Sequence, residues 1–375
     1  MASASPNSPA LLQQLLAEGL TQGVYTGAVA LVGINGDLMW QGAAGRVSRD
    51  PQAPAVTPET RFDLASLTKP LATSLALMLL GQQGKLQLRS TLEQVLPGDW
   101  LPPDKRPLTL EQLLAHTSGL PAWRPFYQEV LAAAVEARPH LLAPLAAAAH
   151  LEYPPGATTL YSDLGFMLLK AVVEQVSGQE LDQFCRRQIY QPLQLTTLGF
   201  NPRRQPGAGL LSFAATEAGL IPGRAGTGEV HDENAWAAGG VAGHAGLFGT
   251  GREVCSLLAA LYRASQGQEA RLFAPEAVRR FLAPVPGGSR ACGFDLPSPE
   301  AAQCSAGRFF SPRSVGHTGF TGTSFWLDLE LGQMVVLLTN RVHLGRDNLA
   351  GIKAFRPRFH EAASRALGLT VPFRH

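Results

Sequence analysis

The strand-forming runs of this chain lie at its two ends, with a long helix-patterned stretch between them. Near the start, VYTGAVALVGINGDLMWQGAAG reads as two strands joined at Asn35-Gly36, a dipeptide suited to a tight hairpin turn. Near the end, SVGHTGF, SFWLDLE and QMVVLLTN are rich in β-branched and aromatic residues and are divided by glycine-containing turns. A helix pattern flanks each set: residues 8 to 20, with Ser8 as candidate N-cap, and the closing NLAGIKAFRPRFHEAASRALG. From about residue 66 to 287 helical patterns dominate, including LATSLALMLLGQQG, LTLEQLLAHT, the alanine-rich LAAAVEARPHLLAPLAAAAH, LGFMLLKAVVEQVSG and REVCSLLAALYRASQ. Loops such as NPRRQPGAGL and AAGGVAGHAGLFGTG separate them. The expected fold is α/β plus α: an antiparallel sheet built from both termini, flanked by helices, with an inserted, mostly helical domain. The expected division is 1–85 with 288–375 as the α/β domain and 86–287 as the helical one, with an active site at their interface.

Composition removes several function classes. A net charge of +2 with no dense Lys/Arg block gives no electrostatic footprint for nucleic acid. No window approaches the roughly 18 apolar residues of a membrane span, and MASASPNSPALLQQLLAEGL has neither a basic leader nor an unbroken apolar run. The expected location is therefore cytoplasmic, with no membrane partner. Cys185, Cys255, Cys292 and Cys304 lack metal-site spacing and are expected as free thiols. Only 5 of the 31 basic residues are lysines, which makes a lysine at a special spacing more informative.

One of those lysines is Lys69, in LASLTKPLAT, three residues after Ser66. A serine hydroxyl needs an adjacent base to become a nucleophile, and a lysine serves if burial or neighbouring charge lowers its pKa. Three positions apart on a helix puts both side chains on one face. Pro70 is tolerated only in a first helical turn, so the helix is expected to begin close to Ser66, where free backbone N–H groups favour an anion. Lys69 precedes that proline and is biased away from the α region, which sets one tension in this reading. The plainer alternative makes Ser66 a cap and Lys69 a surface residue.

Two further segments complete a pattern. YSDLGFMLLKAVV places Tyr161 and Asp163 just before an apolar helix, and HTGFTGTSFWLDL carries His317, Thr318 and Gly319 on an expected strand. With Ser66 and Lys69 these follow the Ser-x-x-Lys, second-motif and Lys-Thr-Gly order of β-lactamases and penicillin-binding proteins. The chain resembles the branch with a tyrosine in the second motif: class C β-lactamases, D-alanyl-D-alanine carboxypeptidases and related serine esterases. LTLEQLLAHTSGLP, GGVAGHAGLFGT and LLTNRVH are also similar to this family, and the resemblance runs from about residue 25 to 365. It implies Ser66 as nucleophile of an acyl-enzyme, Lys69 as proton acceptor or positioner of the base, and Tyr161 as general base. A phenol is a weak base unless nearby cations favour its ionised form, and Lys69 with a protonated His317 would supply them. The resemblance further implies an oxyanion hole from the backbone N–H groups of Ser66 and Phe320, with Thr318 and Gly319 along the substrate's edge.

Two departures bear on substrate. His317 stands where a lysine is usual, so its charge is expected to change near pH 6.5, weakening carboxylate binding as pH rises. Asp163 stands where an asparagine is usual; an ionised aspartate only accepts hydrogen bonds, so it is expected to pair with Lys69 and raise its pKa rather than clamp a substrate amide. Both favour ester hydrolysis over β-lactam turnover. His116, Ser118 and Gly119 read as a helix end and turn, and His231, Asp232 and Glu233 as a solvated loop without zinc-like spacing. His244 reads as close packing among glycines, and NPRRQ and FRPRFH as solvated faces. Trp123 and Phe126 fit either an acyl pocket or ordinary packing. The expected activity is a serine hydrolase acting on a small-molecule ester or amide, esterase-like, without metal or organic cofactor. A true β-lactamase or D-Ala-D-Ala carboxypeptidase and a non-catalytic scaffold are the alternatives, and oligomeric state stays open.

Overall fold

Strands β1 (Gly27–Ile34) and β2 (Asp37–Gly45) form the expected hairpin, turning at Asn35 and Gly36 with φ of 54° and 85°. Positive φ at both central residues is what a two-residue type I′ turn requires. In this computed structural model, residues 8–96, 98–204, 213–219, 221–268, 272–298, 304–369 and 371–373 are described. The cap expected from the Ser8 side chain, and residues 205–212 of the NPRRQPGAGL loop, lie outside them.

The C-terminal runs form β6 (Ser314–Thr318), β7 (Ser324–Asp328) and β8 (Gln333–Thr339). All pairs are antiparallel, in the order β2-β1-β8-β7-β6, so β8 lies against β1 and joins the two ends of the chain into one sheet. The period-two alternation of a strand sends β1 residues Val29 and Leu31 to one face and Ala28, Ala30 and Val32 to the other. The second face is covered by the first helix, Ser8–Thr21, through Leu12 and Leu16, and by the last, Leu349–Ala366, through Ile352, Phe355 and Phe359. The first face packs on helices of the middle region, among them Gly251–Ser265 with Leu257, Leu258 and Leu261. With both faces covered, the central strands read as nearly continuous apolar runs.

The middle region is less uniformly helical than expected. A small sheet in the order β3-β5-β4 runs through it, made of Phe62–Asp63, Leu247–Gly249 and Gly199–Phe200. The alanine-rich stretch breaks into Tyr127–Ala132, a 3-10 turn Arg138–His140 and Leu142–Ala148. Pro139 lies in that 3-10 turn, and proline cannot donate to a continuing helix. All four cysteines are free and buried. Among the described residues no helix is long and apolar enough to cross a membrane.

Trp326 on β7 is fully buried between the sheet and the terminal helices, tilted against Phe310 at 6.1 Å, with its Nε1 donating to Ser305 Oγ at 3.3 Å. Trp326→Ala removes that ring from a packed layer and is expected to lower stability by about 3–5 kcal/mol, read as a lower urea midpoint.

Candidate active site

The segment after β3 delivers Ser66. It makes a 3-10 turn at Ala65–Leu67, a π-helical stretch at Lys69–Ser74 and a regular helix at Leu75–Gln82. A π-helical stretch takes the place of the α-helix expected to start at Ser66, with Pro70 near its start, where a missing N–H forfeits little. Ala65, immediately before Ser66, has φ of 49°, a strained value for a residue with a Cβ. Asp63 holds it there: its Oδ1 accepts from Ala65 N–H at 2.8 Å while its Oδ2 accepts from His231 N–H at 2.6 Å. Burial pushes the Asp63 carboxyl up to about 6, against the opposing pull of those two amides.

Lys69 is fully buried, which removes the surface-residue alternative. Its Nζ lies 2.7 Å from Asp163 Oδ1 and donates to Ser66 Oγ and to the His244 carbonyl, each at 3.1 Å. The ammonium is thus held by two hydrogen bonds and one close ion pair. Burial alone would lower the Lys69 pKa, but Asp163 and Tyr161 together outweigh it and leave it raised, so the side chain is an ammonium at neutral pH. This agrees with the expected Asp163–Lys69 pair.

Asp163 opens the helix Asp163–Ser177, capped by Ser162, and Tyr161 precedes the cap. The AHTSGLPA segment supports this entry. His116, at the end of the helix Leu110–Leu114 with φ of 60°, accepts from Ser162 N–H on its Nδ1 at 2.9 Å, and Asp163 N–H donates to the Ala122 carbonyl at 2.9 Å. The His116 ring lies against Tyr161 at 4.6 Å, so this residue ends a helix, as expected, and also fixes the tyrosine. Over the Tyr161 ring stand two cations, Lys69 Nζ at 4.8 Å and the Arg290 guanidinium at 5.1 Å. The Tyr161 hydroxyl is buried without a hydrogen-bond partner among the described residues.

His317 faces the same ring at 5.9 Å, but its expected charge is not there. Full burial, reinforced by Lys69 and Arg290, drives its pKa well below 6.5, so it is neutral at neutral pH and its charge change moves to more acidic solution. Its Nδ1 lies 2.9 Å from the Thr318 carbonyl, which can only accept, so Nε2 presents a lone pair. The cation expected from His317 comes instead from Arg290, which is ion-paired with Asp295; Asp295 in turn bridges to Gly316 beside β6. No motif in the sequence marked Arg290.

Thr318 ends β6, and Gly319 begins the turn to β7. A Cβ on Gly319 would come within 2.1 Å of Thr323 Oγ1 and 2.8 Å of the Leu64 carbonyl, so only glycine permits this approach to the Ser66 segment. Thr321 and Thr323 hydroxyls tie the turn to the carbonyls of Asp63 and Leu64 at 2.7 and 3.1 Å. Ser66 N–H sits in the first turn of its short helix, where amides lack helical partners. Phe320 N–H donates to no described residue, and its carbonyl accepts from Arg341 Nε at 3.0 Å and Nη2 at 2.5 Å. The exposed Phe320 ring stacks with His231 at 5.6 Å and meets the Arg341 guanidinium at 4.7 Å.

Three expectations for other residues change. His231 is buried, its Nε2 3.2 Å from Glu217, and Glu233 accepts from Arg346 at 2.8 Å, so VHDEN is a paired segment and not a solvated loop. His244 does more than pack: its Nε2 donates to Asp232 Oδ1 at 2.9 Å while its carbonyl holds Lys69. In FRPRFH, Arg356 is buried, whereas Arg358 is partly exposed and pairs with Glu18. In NPRRQ, Arg203 is partly exposed and pairs with Glu229. Trp123 is exposed and Phe126 packs in the core. Donor atoms of Asp163, Asp232 and His244 lie within 4.8 Å of one another, a spacing that suits a cation, and Lys69 already places its ammonium on Asp163.

Burial opposes ionisation of Asp232, but His244, the Ala235 amide and Lys69 lower its pKa to about 2. A depressed carboxylate pKa stabilises the fold above the unfolded value, and that stability is lost as pH falls toward 2. Asp232→Asn is expected to flatten the stability loss between pH 4 and 2 by about 2 kcal/mol, at 1.36 kcal/mol per unit, in urea denaturation series at several pH values.

Comparison with known proteins gives the family and the fold. The Beta-lactamase family model matches residues 12–354. A putative D-alanyl-D-alanine carboxypeptidase of Escherichia coli K12 is 34% identical over 306 residues, covering 76% of this chain and 70% of that one. An N-acetylmuramyl-L-alanine amidase of Bacillus subtilis 168 is 34% identical over 304 residues, covering 76% and 68%. The fold is shared with EstCE1, a hydrolase with promiscuous acyltransferase activity, at TM-score 0.70, 24% identity and coverage of 94% and 99%. It is also shared with a penicillin-binding protein homologue from Caulobacter crescentus at TM-score 0.71, 18% identity and coverage of 97% and 99%. The chain belongs to the β-lactamase family of serine hydrolases.

Proposed function

We propose that the chain hydrolyses an ester or amide carbonyl through an acyl-enzyme on Ser66, with ester hydrolysis as its principal chemistry. The observation that carries this reading is the Lys69 ammonium, donating to Ser66 Oγ while paired with Asp163, beside the unpartnered Tyr161 hydroxyl. An ammonium cannot accept the serine proton, so Lys69 positions the nucleophile and Tyr161 serves as general base as Oγ attacks the carbonyl carbon. The Lys69 ammonium and the Arg290 guanidinium over its ring favour that role. The oxyanion that forms is met by the N–H groups of Ser66 and Phe320. Collapse expels the leaving alcohol or amine, which takes the proton from Tyr161; water then attacks the acyl-enzyme, giving its proton to Tyr161. Collapse of this second intermediate breaks the bond between the carbonyl carbon and Oγ, Ser66 Oγ takes the proton back from Tyr161, and the acid is released.

Esters are favoured because Asp163 offers no donor to a substrate amide and is committed to Lys69. The neutral His317 offers no charge to a substrate carboxylate. A second reading, amide hydrolysis at a D-alanyl-D-alanine or N-acetylmuramyl-L-alanine linkage, is supported by the names of the two bacterial relatives.

Turnover and intact-protein mass are to be measured with p-nitrophenyl acetate, a penicillin, D-alanyl-D-alanine and N-acetylmuramyl-L-alanine. Wild type is expected to turn over the ester fastest and to acylate only slowly with penicillin, and Ser66→Ala to show neither adduct nor turnover. Faster turnover of either amide shifts the assignment to the second reading, and silence with every compound leaves a non-catalytic scaffold. Tyr161→Phe is expected to fold normally and to lower kcat by about 10²- to 10⁴-fold.

A further inference from the structure

Arg356, on the last helix, is a buried guanidinium with no carboxylate partner among the described residues. Taking such a charge out of water is costly unless something compensates it. Its Nη2 donates to the Gly319 and Thr323 carbonyls, each at 2.8 Å, and its Nε has no partner among the described residues. Thr323 O is also the acceptor of Gly319 N–H at 2.7 Å, so one guanidinium nitrogen fastens both ends of the turn after β6.

The Gly319 carbonyl and the Phe320 N–H belong to one planar trans peptide and point in opposite directions. Drawing the carbonyl toward the last helix therefore aims the N–H away from it, out of a turn whose Gly319 abuts Leu64 and Ala65, the residues before Ser66. A cation bonded to the carbonyl also polarises the amide and strengthens its N–H as a donor. A carboxylate beside Arg356 would cancel that field; its absence among the described residues leaves the field directed along the peptide toward the cleft.

We propose that Arg356 is a positioning residue for the reaction: it aims and polarises the Phe320 N–H that receives the oxyanion. Arg356 touches no substrate and acts through the Gly319–Phe320 peptide. The inference rests on the acyl-enzyme reading above and adds to it a residue from the opposite face of the sheet.

The test compares wild type, Arg356→Gln and Arg356→Lys for hydrolysis of p-nitrophenyl acetate, inhibition by phenylboronic acid and thermal melting. Phenylboronic acid becomes tetrahedral on the serine and places a hydroxyl in the oxyanion hole. Arg356→Gln is expected to lose about 10²-fold in both kcat and boronate affinity, the loss typical of a weakened oxyanion donor, with KM changed by less than about twofold. Arg356→Lys, which keeps the charge but not the planar fork, is expected to lose roughly fivefold to tenfold in both kcat and boronate affinity. A folded Arg356→Gln protein with wild-type boronate affinity, or one that loses KM in place of kcat, would overturn the proposal. Should Arg356→Gln fail to fold, Arg356→Lys decides, and unchanged boronate affinity there sinks it. If wild type itself neither hydrolyses the ester nor binds the boronate, the acyl-enzyme reading falls and takes this inference with it; if wild type does both and the variants match it, only the inference falls.

Discussion

The buried ammonium of Lys69 is the charge around which the site is organised. A lysine with no exposed surface is sustainable only with close polar and charged partners, and here they come from three separate parts of the chain: Ser66 in its own segment, the carboxylate of Asp163 at the start of a distant helix, and the carbonyl of His244 in a glycine-rich loop. Asp163 does more than neutralise it. With Tyr161 it outweighs the effect of burial and keeps the ammonium charged, which is why the proposed reaction uses Tyr161 and not Lys69 as its proton acceptor.

Around that centre the chain relies on buried neutral histidines and on backbone carbonyls. His116 and His317 flank Tyr161, and both have pKa values well below 6.5, chiefly because burial penalises their charged form. They pack beside the tyrosine as neutral rings. The fixed positive charge comes from Lys69 and from Arg290, whose guanidinium stays protonated across the physiological range. On the other side of the cleft, hydroxyls of Thr321 and Thr323 join the turn after β6 to the residues before Ser66. The two candidate oxyanion donors are thus held by direct bonds between their segments, and Arg341 and Arg356 hold the second segment from behind.

Much of this was legible in the sequence because it depends on local pattern. Asn35-Gly36 predicts its hairpin through backbone conformation alone, and the β-branched runs at both ends predict a sheet because both faces of its central strands are covered. Ser66 and Lys69 were legible through spacing, Tyr161, Asp163 and His317 through resemblance to the family's motifs, and the five do converge. The roles of His116, Asp232, His244, Arg290 and Arg356 were not, since each depends on a partner far away in the chain. His244 reaches Lys69 across 175 positions, and Arg356 reaches Gly319 across 37. Nothing in FRPRFH separates an arginine that faces water from one that faces a buried turn; Pro357 between Arg356 and Arg358 gives no sign of it.

The sequence by itself determined the residue types available for chemistry, the strand-forming ends and the family order of motifs, since these follow from side-chain identity, local backbone preference and spacing. Only the tertiary structure decided which of those groups are charged. Charge in a buried site is set by how much water is removed and which partners stand within a few ångströms. The same lysine or histidine has no fixed protonation state until distant segments close around it. That is why Lys69 was readable as a member of the site but not as its ammonium, and why His317 was expected to carry a charge that the fold gives to Arg290.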